Sequence, residues 1–145
     1  MRYLSQRFTA PNRVCMAVLT DVATEELGHL EMVSTIVHQL TANLTVEEIE
    51  NQGFADYYVD HAVGIWPQSA GGIPFNSCEF QSKGDPITDM FESMAAEQKA
   101  RSTYDNILRV VRDIPEIADP IRFLRAREVV HFQRFCEASS LSRIS

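Results

Sequence analysis

Residues 21–33 read DVATEELGHLEMV, and two of them decide what the rest of the chain must do. Glu26 and His29 stand three residues apart, so on an α-helix they project from one side, a turn apart. Around them the apolar positions Cys15, Leu19, Val22, Val33, Ile36 and Leu40 step by three and four, and Glu26 and His29 take the two middle places of that stripe. A carboxylate and an imidazole left unpaired in an apolar seam would cost on the order of several kcal/mol. A metal ion removes that cost, because both side chains are metal ligands.

The spacing recurs a hundred residues on. Ile121, Leu124, Phe135 and Ala138 form another stripe with Glu128 and His131 at its centre. Between the two lies a third, Ile87, Met90, Met94, Glu97, Arg101, Tyr104, Leu108 and Val111, which turns Glu97 inward. Three helices thus bring carboxylates to one level, two of them with an imidazole. With 12 glutamates in 145 residues, a histidine has a glutamate three places before it roughly one time in twelve. Two of the four histidines doing so by chance is rare, and rarer still on core stripes. Facing Glu-x-x-His helices with added glutamates are the ligand pattern of di-metal helix bundles. The alternative is a pair of core histidines satisfied by hydrogen bonds.

Local signals delimit the helices. Pro11 suits the first turn of the helix carrying Glu26. Thr45-Val46-Glu47-Glu48 has capping-box spacing and Gly53 is a stop, giving a short helix. Asp85-Pro86 is an N-cap with proline at the first helical position, starting a helix to about Arg112, and Asp119-Pro120 repeats that start signal. Residues 53–84, with Gly64, Trp66-Pro67, Gly71-Gly72 and Pro74, lose helical periodicity and are long for a connection in a compact domain. They fit a crossover. Residues 2–8 look like the last two turns of a helix whose beginning precedes Met1. The expectation is a single all-α domain over residues 1–145, a ferritin-like four-helix bundle with one long crossover and a first helix that is largely missing.

Composition excludes several classes of function. A charge of −7 disfavours nucleic acid, which asks for clustered Lys and Arg. No run of 18 apolar residues suggests a membrane span, and MRYLSQRF has no apolar signal-peptide core. Cys15, Cys78 and Cys136 are odd in number and widely spaced, and read as reduced thiols of a cytoplasmic protein.

The remaining chemistry-bearing residues take plainer readings. His38 fits a helix surface, and His61 a loop that approaches the site. Glu25, Glu31, Glu47 and Glu48 read as solvated helix faces. Arg101 lies one turn from Glu97 on the inner stripe, which points to a salt bridge with a carboxylate near the metals or to a side chain that snorkels out. Met90 and Met94 read as core filling, because hard divalent ions prefer oxygen and imidazole.

TEELGHLEMVSTIVHQLT, GIPFNSCEFQSKGDPITDM, AAEQKARSTYDNIL and FLRAREVVHFQRFCEA together resemble the manganese catalase family, most closely its spore-coat, CotJC-type branch. The resemblance covers nearly the whole chain. It implies a centre of two manganese ions, with iron as the alternative, that converts hydrogen peroxide to dioxygen and water. By motif, Glu26 would bridge the ions, His29 would bind one, Glu97 and His131 the other, and Glu128 would be a ligand or the acid-base residue beside them. It also implies other spore-coat proteins as partners and a location in the coat, beside the cytoplasmic reading above. Apolar stripes left bare by the missing first helix predict association with another chain, as in a homo-oligomer, or poor stability. Family members carry a first-helix glutamate about two turns before a tyrosine that matches Tyr3; here that position would fall before Met1. Two other functions share the ligand set: a structural coat-assembly protein with little or no catalysis, and a ferritin-like di-iron oxidase.

Overall fold

The computed structural model describes residues 1–53, 55, 73–74 and 76–142, and among these the extended regular elements are all helices. They are α1 (Arg2–Gln6), running into a 3-10 turn at Arg7–Thr9; α2 (Arg13–Thr41); α3 (Val46–Asn51); a 3-10 turn at Ser77–Phe80; α4 (Pro86–Val111); and α5 (Pro115–Ser142). The arrangement is ferritin-like. The expected crossover and His61 lie almost wholly outside the described residues. The chain divides into two compact units, Met1–Ser34 with Phe80–Ser145, and Thr35–Glu79.

Helix boundaries follow from their caps. Asn12 begins α2, its side-chain oxygen accepting the Cys15 amide at 2.9 Å, so Pro11 stands one residue before the cap and outside the first turn. Thr45 and Glu48 form the expected capping box on α3. Asp85 caps α4 by accepting the Thr88 amide at 2.8 Å, and Pro86 takes the first position, where no amide is needed. The expected start of the last helix is wrong by five residues. α5 begins at Pro115, Pro120 lies inside it, and Asp119 pairs with Arg122 at 2.5 Å where a cap was expected. The Ile114 carbonyl accepts the Ile117 and Ala118 amides, so the helix is already under way before Pro120 removes one donor from its second turn.

In the first unit, α2, α4 and α5 share a core of Cys15, Leu19, Val22, Met90, Met94, Phe135 and Ala138, against which Tyr3, Ala10, Val18 and Phe132 pack. These are the stripe positions on the N-terminal side of Glu26 and Glu97 and on the C-terminal side of His131. Met90 and Met94 fill the core as expected. Ile87, in the first turn of α4, is 37% exposed, and Leu40, near the end of α2, is 57% exposed, so both stripes fray at their outer ends.

A buried polar knot fixes the approach to α4. Asp89, 2% exposed, accepts the Lys83 amide at 2.7 Å and the Gly84 amide at 3.0 Å. Gly84 has φ +84°, a left-handed conformation that folds the segment back over the helix start. Buried Gln6 donates to the Asp89 carbonyl at 3.4 Å and accepts from Ser93 at 2.9 Å, tying α1 to α4.

Candidate metal centre

Each inward-facing residue sits half way along a long helix, where no end groups compete for it. α2 supplies Glu26 and His29, α4 supplies Glu97, and α5 supplies Glu128 and His131. Glu97 is 1% exposed, Glu128 2%, His29 4% and His131 0%, so these groups have left water. Glu26, His29, Glu128 and His131 each offer one ligand atom within 4.8 Å of all the others. Glu97 adjoins this group, its Oε2 3.5 Å from His131 Nδ1.

Glu26 stands between the two imidazoles. Its Oε2 is 3.2 Å from His29 Nδ1 and its Oε1 is 2.8 Å from His131 Nδ1. Glu128 Oε1 approaches His29 Nδ1 at 3.7 Å. Yet Glu26 Oε1, Glu128 Oε1, His29 Nε2 and both nitrogens of His131 are buried without an aligned hydrogen bond. Of these, the oxygens of Glu26 and Glu128 and Nδ1 of His131 lie close together and so poorly matched that a cation fits between them. The donor set, carboxylate-rich with two imidazoles, suits manganese or iron.

The electrostatics carry the same imprint. Burial, contact with Glu97 and the charges of Glu26 and Glu97 push the Glu128 carboxyl up to about 9. Burial works against charge on His131, but contacts with Glu26, Glu97 and Glu25 outweigh it and raise the imidazole to about 10. Burial likewise pushes Glu97 up, but contacts with His131, Glu128 and Tyr3 prevail and hold it below the usual carboxylate range. Without metal, protons on Glu128 and His131 offset a cluster of negative charge.

Three further residues join the site without a role assigned from sequence, although Tyr104 stands on the inward stripe. Tyr3, on α1, donates its hydroxyl to Glu97 Oε1 while its ring packs on Phe135 with centroids 4.8 Å apart. Burial and the Glu97 charge push that hydroxyl far up, so it stays a donor. Tyr104 is half-buried, its hydroxyl pushed up to about 12 by burial and by Glu128, Glu26 and Glu97. Glu25 is no solvated face: it receives Arg127 at 2.5 and 3.0 Å and lies 3.1 Å from His131 Nε2. That pairing, more than burial, holds its carboxyl down at about 2. The doublets Glu25-Glu26 and Arg127-Glu128 were the available signal, since a residue next to a ligand also flanks the site.

Arg101 takes the second of its two expected courses, outward and away from the cluster. Its guanidinium donates to Gln98 and Asp105, both at 2.8 Å, on its own helix and half out of the core. Asp105 also holds Arg125 of α5, so the neighbouring acid captures both arginines away from the cluster. His38 is exposed, as expected. Among the described residues no helix is long and apolar enough to cross a membrane.

Comparison with known proteins places the chain in a family. The family model described as manganese containing catalase matches residues 1–143. Protein CotJC of Bacillus subtilis is 46% identical over 138 residues, covering 95% of this chain and 72% of that protein. A protein of Clostridium acetobutylicum named probable manganese catalase is 29% identical over 95% of this chain and 61% of its own length. The manganese catalase of Bacillus subtilis is 26% identical over 95% of this chain and 55% of its own. The chain therefore spans a little over half the length of these last two. No solved structure matches it.

Proposed function

We propose, because this chain belongs to the manganese-containing catalase family, that it disproportionates hydrogen peroxide to dioxygen and water at a dinuclear manganese centre held by Glu26, His29, Glu97, Glu128 and His131. The observation that carries the reading is the set of buried, unmatched lone pairs on Glu26, Glu128 and His131. Glu26 offers one oxygen toward each imidazole, which supports a bridging role. His29, His131 and Glu97 would each hold an ion beside Glu26, and Tyr3 steadies Glu97 by its hydrogen bond.

In the reaction one peroxide gains two electrons and two protons as its O–O bond breaks to give two waters. A second peroxide gives up two electrons and two protons and leaves as dioxygen. Two manganese ions, when bound, supply the store for those two electrons. The protons are the protein's task. Glu128, buried against Glu97 and next to the His29 ring, carries one of them from the peroxide that is oxidised to an oxygen that leaves as water, and the other exchanges with solvent. Tyr104 lines the same region with a neutral hydroxyl.

Metal analysis of the purified chain, followed by oxygen release from peroxide after manganese loading, tests the proposal. Absence of both manganese and oxygen would sink it. Consumption of dioxygen by the ferrous-loaded chain would instead assign it to the di-iron oxidases. The 46% identity with CotJC supports a second, compatible reading, association with the spore coat together with other coat proteins and with or without catalysis. Retention of the chain in an isolated coat layer is its test. Leu27 and Leu30, 49% and 60% exposed on α2, support self-association, which sedimentation would measure.

A further inference from the structure

We propose that Glu25 and Arg127 act as one positioning pair that fixes the outer nitrogen of both imidazoles, so that His29 and His131 turn Nδ1 inward. The inference rests on the metal reading above and concerns residues outside the ligand set. Glu25 Oε1 lies 3.5 Å from His29 Nε2, and Glu25 Oε2 lies 3.1 Å from His131 Nε2. A single carboxylate thus serves both rings, one oxygen each. The Nδ1 atoms face the other way, toward Glu26, Glu128 and Glu97. Both Nε2 atoms are buried without an aligned partner, and Glu25 is the carboxylate within reach of both among the described residues.

The chemistry follows from the imidazole ring. A neutral imidazole has one N–H and one lone pair, and an acceptor at Nε2 keeps the N–H there and the lone pair on Nδ1 for a cation. Glu25 can do this for two rings only if it does not turn to solvent, to which 28% of its side chain is open. Arg127 prevents that turn. Its Nε meets Oε1 at 2.5 Å and its Nη2 meets Oε2 at 3.0 Å, a fork that sets the carboxylate plane. The spacing is symmetrical, since Glu25 precedes His29 by four residues and Arg127 precedes His131 by four. A plain cross-helix ion pair between α2 and α5 would look like Asp21 with Arg134, which touches neither imidazole.

The test is Mn(II) affinity of the full chain, read from the electron paramagnetic resonance signal of the free ion, in the unaltered chain, Glu25→Gln, Arg127→Lys and the control Asp21→Asn. Affinity should fall about 10–100-fold in Glu25→Gln, less in Arg127→Lys, and stay unchanged in Asp21→Asn. In the zinc-loaded, diamagnetic chain, two slowly exchanging imidazole N–H resonances assigned to Nε2 should be present and should be lost in Glu25→Gln. If Glu25→Gln folds poorly, Arg127→Lys keeps the charge pair and still reports the lost fork. Equal affinity in all four chains, or Nε2 as the metal-bound nitrogen, overturns the positioning role and leaves the metal reading standing. Failure of the unaltered chain to bind Mn(II) overturns both.

Discussion

His29 and His131 stack across the bundle, with ring centroids 5.5 Å apart and planes inclined by 21°. They come from helices a hundred residues apart in the chain, and their inner nitrogens converge on one carboxylate, Glu26. His131→Ala should therefore remove a ligand without opening the helix packing, since the ring lies beside the apolar core and outside it. Manganese bound per chain should drop, and oxygen release should fall at least about 100-fold, beyond what removing an outer-sphere partner costs. Helical content by circular dichroism should be unchanged. Full manganese occupancy in the variant would contradict the assignment.

The two raised groups make metal binding and metal-free stability respond to pH in opposite senses. His131 and Glu128 titrate at about 10 and about 9 in the folded chain, against ordinary values of 6.5 and 4.5. A group raised on folding contributes stability that is complete below its ordinary value and lost as pH rises through the folded one. The Tm of the metal-free chain should fall between pH 7 and 10. Manganese must displace both protons, so its affinity should rise over the same range. Calorimetric titration in two buffers of different ionisation enthalpy should count about two protons released per site near neutral pH. No proton release would refute this picture of the metal-free cluster.

Asp89 holds a turn in place of a metal. Replacing it with alanine strands the Lys83 and Gly84 amides, which its two oxygens now accept at 2.7 and 3.0 Å in a site 2% exposed. The expected cost is about 2–4 kcal/mol in urea unfolding, from orphaned donors more than from lost packing. Asp89→Asn, which keeps one acceptor oxygen, should cost about half as much. An Asp89→Ala chain as stable as the original would mean that water satisfies those amides.

Periodicity made the three long helices and the inward faces of Glu26, His29, Glu97, Glu128 and His131 legible, because a polar residue on an apolar stripe has few places to go. The start of α5 was misread for a local reason. Asp119-Pro120 has the form of a cap, but Pro115 supplies an earlier start and a proline in a second turn removes a single hydrogen bond, which long helix packing absorbs. For Arg101 the inward stripe leaves a salt bridge near the metals and a side chain that snorkels out both open, and the i, i+4 acid Asp105 decides for the second by drawing the guanidinium outward. Tyr3 and Glu25 act across 94 and 106 residues of chain, on Glu97 and His131, and no spacing rule reaches that far. What periodicity leaves out is the company a ligand keeps.

Phe135 links the apolar core to the metal site and gives the sharpest stability contrast. It is fully buried, belongs to the cluster shared by α2, α4 and α5, and backs the ring of Tyr3, whose hydroxyl holds Glu97. Phe135→Ala should cost about 3–5 kcal/mol, the transfer of a benzyl group plus the cavity it leaves. Tyr3 would lose the surface that fixes its ring, so manganese affinity should also drop. Val110, 82% exposed on α4, has little packing to lose, and Val110→Ala should stay within about 0.5 kcal/mol. Chemical denaturation of the metal-free variants measures the first quantity and Mn(II) titration the second. If Phe135→Ala lowered stability with manganese affinity intact, Tyr3 would hold Glu97 without help from the core, and the aromatic contact would be packing alone.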